Sequence, residues 1–587
     1  MFLATTGNHE IWDTREKIFF LGEWCKIYEQ KRHWEHLDSE TFAYIWGDSA
    51  NVAETYGYCW DLYREIAPIL TQSLNTYHNV QEDVEYYDII LGSWLLMYIS
   101  QLFDKYSCLK KAFQKYPGLD TVLLHEDQFV ISTDIRDFRS LIDSDEYMLQ
   151  QYSQILTTLG YEFPKIHLTN PLQQKTTHTE LQRVSSLQRI FNIVQSAVSK
   201  FSSKPKVFAG NTCFWESGNI PDILHLCLRG WPNILLEPMH GPISVHCELD
   251  LNFRRRALPK AGGGEFRAVV HKLIFSDLPL IYIEGFKAYR ERISELQYDN
   301  VKLFYTANNL QACSYFKFSV AEKRKEAKIC SRQHGGGYGT AIHASAESYE
   351  RMIVDRFYTF GWSDKKDANT GYLPAPQMLY NAKPPSRDNG SILIPLHGCT
   401  RYQVEFVTYC NSSEFTQYLS SIAGFIDNLD PQLEVVIREY VSDDSWSVKQ
   451  RIIDLLQRQD QVKFDDRKKN LTWLMERCRV VLIFQITTTY LQSLSLNKPT
   501  IMIISPKFYK FRSGVQELFD QLQEVGILHL SNESAAQHLH AIYDDVMAWW
   551  ASDRVQSVRQ AFVHEHARGE KNWVKPWLAE MEKMLRE

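Results

Sequence analysis

Long apolar runs are missing from this 587-residue chain. No stretch reaches the roughly 18 uninterrupted apolar residues of a membrane span. The longest candidate, Ile89 to Phe103, carries Gly and Ser and reads as a buried helix. The opening MFLATTGNHEIWD lacks a basic region followed by an apolar core, so no secretory signal is expected. Positive charge is not in excess: a net charge of −7 argues against a nucleic-acid binder. C-x-x-C pairs are absent as well. The 11 cysteines lie singly from Cys25 to Cys478, which indicates neither a zinc ribbon nor a disulfide framework and fits a reducing cytoplasm. Neither G-x-G-x-x-G nor G-x-x-x-x-G-K-[ST] occurs, which removes the dinucleotide fingerprint and the Walker loop.

What is present is an ordinary globular composition, 44% hydrophobic and 23% charged, with 15 Trp and 31 Tyr. Such aromatic richness suits sugar stacking, but packed cores account for most of it. The length calls for two or three domains. Strand-like runs FLATT and IFFLGEW open the chain, followed from about residue 51 to 160 by helical periodicity. Runs resume at PKVFAG, PNILLEP, LPLIYIEG, VKLFYTAN and AKICSRQ, alternating with helix-like stretches in the βαβ manner. Between Ser363 and Gly390 periodicity disappears and Pro, Gly, Asn and charge accumulate, as in a linker. Alternation then returns through SILIPLHG, LEVVIREY, VVLIFQ and PTIMIIS. The end is helical, with Trp549, Trp550, Trp573 and Trp577 as packing anchors. The expected fold is α/β: two Rossmann-like domains facing each other across a cleft. Residues 1–363 would form the first, with a helical insertion at about 51–160, and 391–532 the second. Residues 364–390 would link them, and 533–587 would form a helical tail packing back on both.

Four segments could carry chemistry. In Gln333-His334-Gly335-Gly336-Gly337-Tyr338-Gly339, glycines between a strand and a helix allow close approach of a ligand, and the helix N-terminus favours negative charge. His334 would then meet a phosphate or a reacting hydroxyl. The alternative is a tight turn with a structural histidine. Thr487, Thr488 and Thr489, between strand VVLIF and the next helix, would make a phosphate cradle where a single N-cap needs only one of them. Arg438, at the carboxyl end of strand LEVVIR, is placed to pair with a diphosphate, with a surface salt bridge equally compatible; Arg512 is a second candidate of that type. Glu23, at an early strand tip, is a candidate base, with Glu216 and Glu284 as rivals and ion pairing as the plainer role for each. The run Arg254-Arg255-Arg256 reads as a solvated face, with contact to an anionic lipid carrier as the alternative.

The residues together resemble a known family. LATT…WD…FLGEWC, QHGGGYG…E…D…GW, TTTYLQSL…NKPTI and the closing AA…WW…W are similar, in order, to bacterial surface-carbohydrate transferases of O-antigen and capsule gene clusters. More distantly, the HGGGYG and ITTTYLQSLSLNKP segments resemble capsule and lipopolysaccharide transferases of the two-Rossmann, GT-B kind. Those include transferases of 3-deoxy-manno-octulosonic acid and teichoic-acid-type glycerophosphotransferases. The resemblance implies a nucleotide-activated donor, CMP-linked sugars included, held mainly by the second domain. On the reading of the residues, its contacts would be Arg438, Thr487, Thr488, Thr489 and Arg512 there and Gly335, Gly336, Gly337 and Tyr338 across the cleft. A surface polysaccharide or lipid-linked glycan would be the acceptor, held by the first domain, and peripheral association with the inner membrane would suit it. No metal, cofactor or nucleic acid is implied. Two departures leave the donor base and sugar open: Arg438-Glu439 stands where cytidine-nucleotide transferases usually show His-Pro, and Gln492 where they tend to carry an acid. The rival readings are a teichoic-acid-type glycerophosphotransferase, a two-Rossmann sugar-nucleotide epimerase and a catalytically inert scaffold of a polysaccharide assembly complex.

Overall fold

The computed structural model describes residues 1–180, 206–211, 234–236, 243–259, 263–296, 300–364, 367–378, 388–407, 410–440, 446–507 and 509–587. Strands β1 (Phe2–Ala4), β2 (Ile18–Phe20) and β3 (Ser39–Thr41) pair in parallel as a small sheet of their own. Two long helices follow, α1 (Ser49–His78) and α2 (Val84–Lys115). Asp48 and Asp83 cap them by accepting the Ala50 and Tyr86 backbone N–H groups, and Asn79 in the left-handed region (φ 55°) ends α1. Helix α2 contains the Ile89–Phe103 run, which is buried on nearly all sides as expected. No helix among the described residues is long and apolar enough to cross a membrane.

The first large sheet comprises β4 (Val207–Gly210), β5 (Ile234–Leu236), β6 (Leu303–Thr306), β7 (Lys328–Arg332), β8 (Arg356–Thr359) and β9 (Thr370–Tyr372), ordered β9-β8-β7-β6-β4-β5. The second comprises β10 (Ile392–Pro395), β11 (Val435–Arg438), β12 (Val462–Phe464), β13 (Val480–Ile483), β14 (Thr500–Ile503) and β15 (Leu528–His529). Its order, β12-β11-β10-β13-β14-β15, is the Rossmann order 3-2-1-4-5-6. All pairings in both sheets are parallel. Parallel strands buried on two faces need continuous apolar runs, and ILIP, VVLI and TIMI are buried at every position. The expected pair of Rossmann-like units with a helical insertion and a helical tail is therefore present.

The tail ties the two units together. Helix α7 (Asp553–His566) packs on α5 (Thr488–Ser495) and α6 (Gln516–Glu524) of the second unit. Helix α8 (Val574–Arg586) returns to the first sheet, where Trp573, Trp577, Met581 and Met584 pack against Val207, Leu303, Tyr305 and Cys330. Trp550 is fully buried and donates its indole N–H to the Asn497 carbonyl (3.0 Å).

Several details differ from the sequence reading. LPLIYIEG is not a strand: Leu280–Tyr282 is a short 3-10 turn entered from Pro279, because a short apolar run buried on all sides carries no period. The expected linker is sheet in part, since Thr370–Tyr372 forms β9 at the edge of the first sheet; three residues are too few to show alternation. Arg254 does not belong to a solvated face. It is buried, pairs with Glu284 through two 2.6 Å contacts and donates to the Phe275 and Leu278 carbonyls, while Arg255 and Arg256 are exposed.

Candidate functional site

The carboxyl ends of both sheets meet at one cavity of about 330 Å³. From the first unit, the turn after β7 contributes Gly335 to Tyr338, and α3 (Ser345–Ile353) contributes its N-terminal residues Ala344 to Ala346. From the second unit come Leu396 and His397 after β10, Tyr440 after β11, and Ile486 to Thr489 between β13 and α5. Thus the glycine-rich turn and the threonine turn, about 150 residues apart in sequence, line the same space.

They also touch. A Cβ on Gly336 would lie 2.0 Å from the Thr487 carbonyl oxygen, so only glycine fits there. Tyr490 donates its hydroxyl to the Gly336 carbonyl (3.2 Å), and Thr488 donates to the His334 carbonyl (3.4 Å). Thr487 is the N-cap of α5, yet its side chain makes no capping hydrogen bond; the N-cap of α3, Ala344, has none to make. Two helix N-termini without side-chain caps therefore open on the cavity, and their first-turn N–H groups carry the positive ends of two helix dipoles. Among the described lining residues there is no Lys or Arg.

His334 stands at the start of the glycine-rich turn. Its half-buried ring has the Tyr338 hydroxyl 3.2 Å from Nε2, and its Nδ1 lies 3.7 Å from an oxygen of Glu350. Burial pushes its pKa down to about 4, so the imidazole is neutral near pH 7. Glu350, fully buried, accepts from Gln311 (2.8 Å) and Ser331 (3.1 Å), and burial pushes its carboxyl up to about 8. A buried acid held this way was not legible in the sequence, where Glu350 is one helical glutamate among several.

His334 stands behind the turn and is not among the residues that line the cavity, and the structure does not bring Arg438, Arg512 or Glu23 into it either. Arg438 turns toward the neighbouring strand end, pairs with Asp465 and donates to the Lys469 carbonyl (3.0 Å). Arg512 spans the cleft instead of facing a ligand. Its guanidinium takes both oxygens of buried Glu347 at 2.9 and 2.8 Å, and its Nε donates to the Ala341 carbonyl (2.7 Å). Glu23 is ion-paired with Lys26 (3.1 Å), and its backbone N–H donates to Ser413 Oγ of the second unit (2.9 Å), so this segment serves the joint between the units. Of its rivals, Glu284 is committed to Arg254 and Glu216 lies outside the described residues. Sequence reasoning missed the titratable side chains His343, His397 and Glu405, which do line the cavity. His397 follows β10 directly, which its place after an apolar run could have signalled.

A profile described as the LIC12162 family transferase matches residues 1–581. The chain belongs to that family and is a transferase. No curated protein matches it. Among solved structures, S. aureus MnaA in a co-structure with UDP aligns over 65% of this chain and 97% of its own, with 8% identity and a TM-score of 0.38. Anabaena HepE in complex with UDP and glucose aligns over 65% and 99%, with 12% identity and a TM-score of 0.37. UDP-GlcNAc 2-epimerase from Neisseria meningitidis bound to UDP-GlcNAc aligns over 65% and 100%, with 12% identity and a TM-score of 0.37. These likenesses are loose.

Proposed function

We propose that the chain is a glycosyltransferase that moves a sugar from a nucleotide-activated donor to a bacterial surface polysaccharide or lipid-linked glycan. The donor phosphates would lie between the turn at Gly335 to Tyr338 and the one at Thr487 to Thr489. The observation that carries this reading is the convergence of two helix N-termini, neither with a side-chain cap, on one cavity at the carboxyl edges of two parallel sheets. Oriented N–H groups favour an anion, and they favour most the charge that grows on a departing nucleotide. In this reading His334 orients the turn and the phosphate as a neutral imidazole, since it carries no positive charge near pH 7. Fixed dipoles then supply what a metal ion would otherwise do for the phosphate charge. Arg438, Arg512 and Glu23, held in their own pairs, are not needed for it.

The test is a thermal-shift screen of the full chain against CMP, CDP, UDP, GDP and TDP, because a ligand that binds only the native state raises its melting temperature. The reading expects a clear rise with one base. It also expects turnover of the matching nucleotide sugar only when a glycan acceptor is added. Turnover without acceptor would replace it with the epimerase reading, and no rise with any nucleotide would leave the scaffold reading.

A further inference from the structure

A second cavity, of about 310 Å³, adjoins the first and shares Glu405 and Val407 with it. Its walls come from the helical insertion, with Met97, Arg139 and Ile142, and from the loop after β10, with Gly398 to Thr400 and Gln403 to Glu405. Arg139, on the short helix Ile135–Leu141, is only partly exposed, and burial lowers its pKa. Its charged surroundings are Glu405, which attracts it, and Arg136, which repels it. Among the described residues no carboxylate lies within ion-pair distance of Arg139, and no backbone carbonyl accepts from it, although nearly every other half-buried arginine of the cleft is paired. Arg401 holds Asp145 at 2.6 Å, Arg512 holds Glu347, and Arg438 holds Asp465. Half-buried, lining the cavity and without a protein acceptor among the described residues, this guanidinium is open to an anion that enters the cavity.

We propose that this second cavity is the acceptor subsite, and that Arg139 binds there an anionic group, the carboxylate or phosphate of an acidic sugar, next to the hydroxyl that is glycosylated. This rests on the donor reading for the first cavity. Glu405 faces both cavities and is the one carboxylate their described linings share. It takes the proton of the acceptor hydroxyl as that oxygen bonds to the anomeric carbon of the donor. The bond from that carbon to the phosphate oxygen breaks, and the nucleotide leaves with its electron pair toward the helix N-termini. Burial raises the Glu405 pKa, which strengthens it as a base while it remains ionised. The guanidinium nearby also keeps the site neutral overall until an anion arrives.

The test uses calorimetry on the full chain. Glucuronate, glucose 6-phosphate and glucose serve as sugar probes, with the nucleotide that gives the largest thermal shift measured separately. The wild type should bind one or both acidic sugars and not glucose; preference between carboxylate and phosphate distinguishes the two sources of the anion. Arg139→Met should weaken the acidic sugar at least tenfold and leave nucleotide affinity within about twofold. Arg139→Lys, which keeps the charge and the fold but not the bidentate fork, should fall between them. Glu405→Gln should hold or strengthen sugar binding, because a negative charge beside the guanidinium is gone, while transfer to a bound acidic acceptor drops at least a hundredfold. No acidic-sugar binding by the wild type, or equal binding by Arg139→Met, would overturn the proposal. A failure of the donor reading shows itself differently: nucleotide binding is absent while the sugar measurements stand.

Discussion

Substituting Gly336 by alanine tests the joint between the two units at its tightest point. The added Cβ would sit 2.0 Å from the Thr487 carbonyl oxygen, 2.2 Å from its carbon and 2.7 Å from the Thr488 nitrogen. All three are backbone atoms, so no rotamer change relieves the clash. Non-bonded heavy atoms rest about 3.5 Å apart, so the two turns must separate by ~1 Å or more. That movement breaks the Tyr490 bond to the Gly336 carbonyl and the Thr488 bond to the His334 carbonyl. Overpacking and two lost hydrogen bonds together cost about 2–4 kcal/mol of stability. A displacement of ~1 Å in a cradle of aligned donors costs a further factor of about 100 in turnover. Gly337→Ala is the matched control, since its Cβ would meet only the Ala341 methyl at 3.7 Å, an ordinary contact. Urea denaturation and nucleotide calorimetry on both variants decide the matter. If Gly336→Ala and Gly337→Ala behave alike, the close approach of the two turns is refuted, and with it the shared cradle.

Thr488→Val combined with Thr489→Val keeps shape and removes two hydroxyls. Nucleotide affinity should fall by about 1 kcal/mol or more, through the Thr489 bond lost to a charged group and the Thr488 bond that holds the His334 carbonyl, read by calorimetry on folded protein. Arg512→Met strands one side of the buried Glu347 carboxylate, which retains Arg351 (3.1 Å) and the Gly339 N–H (2.9 Å); a loss of about 2–4 kcal/mol in urea denaturation is expected, and a loss below ~1 kcal/mol would show that the clamp does not join the units. Glu350 titrates near 8 in the folded chain against an ordinary 4.5. The folded state thus holds its proton longer than the unfolded one, and this contribution to stability is complete below about pH 4.5 and lost as pH rises toward 8. Glu350→Gln removes that loss, so its stability relative to wild type should grow between pH 5.5 and 8.5; a constant difference would place Glu350 in a solvated setting.

Fold was legible here because parallel sheets leave a strong mark. Four-residue apolar runs buried on two faces, such as VVLI and TIMI, stand out against amphipathic helices, and their chain order implies Rossmann winding. Strands β9, β12 and β15, of two or three residues at or near sheet edges, carry too little pattern to be seen. At the site, backbone features were legible and side-chain commitments were not. The glycine-rich and threonine turns could be picked out because strand-to-helix junctions place N–H groups in the open. Whether an arginine at a strand tip faces a ligand or an acid depends on what the neighbouring strand end carries. For Arg438 that is Asp465, 27 residues away in sequence, and for Arg512 it is Glu347, 165 residues away. No local pattern records either pairing. Glu405 and Arg139 were missed for the same reason, since only the folded chain brings the insertion against the loop after β10.

The distribution of charge around the first cavity explains why its arginines serve as ties. A lysine or arginine inside a narrow cleft would attract phosphate, but it would also have to shed its water and hold its place while empty. Helix N-termini carry no such cost, because their N–H groups are fixed by the helices they begin. Their position must then be set by the fold. Arg512 to Glu347, Arg401 to Asp145, Tyr490 to Gly336 and the tail helix α8 on the first sheet each bind one unit to the other around the cavity. Arg512 thus holds α3 to the second unit and Tyr490 holds the start of α5 to the glycine-rich turn, while the dipoles are placed where the phosphate would lie. Donors held in register need not reorganise when charge develops on the leaving group, and fixed dipoles in a cleft contribute most to a transition state under that condition.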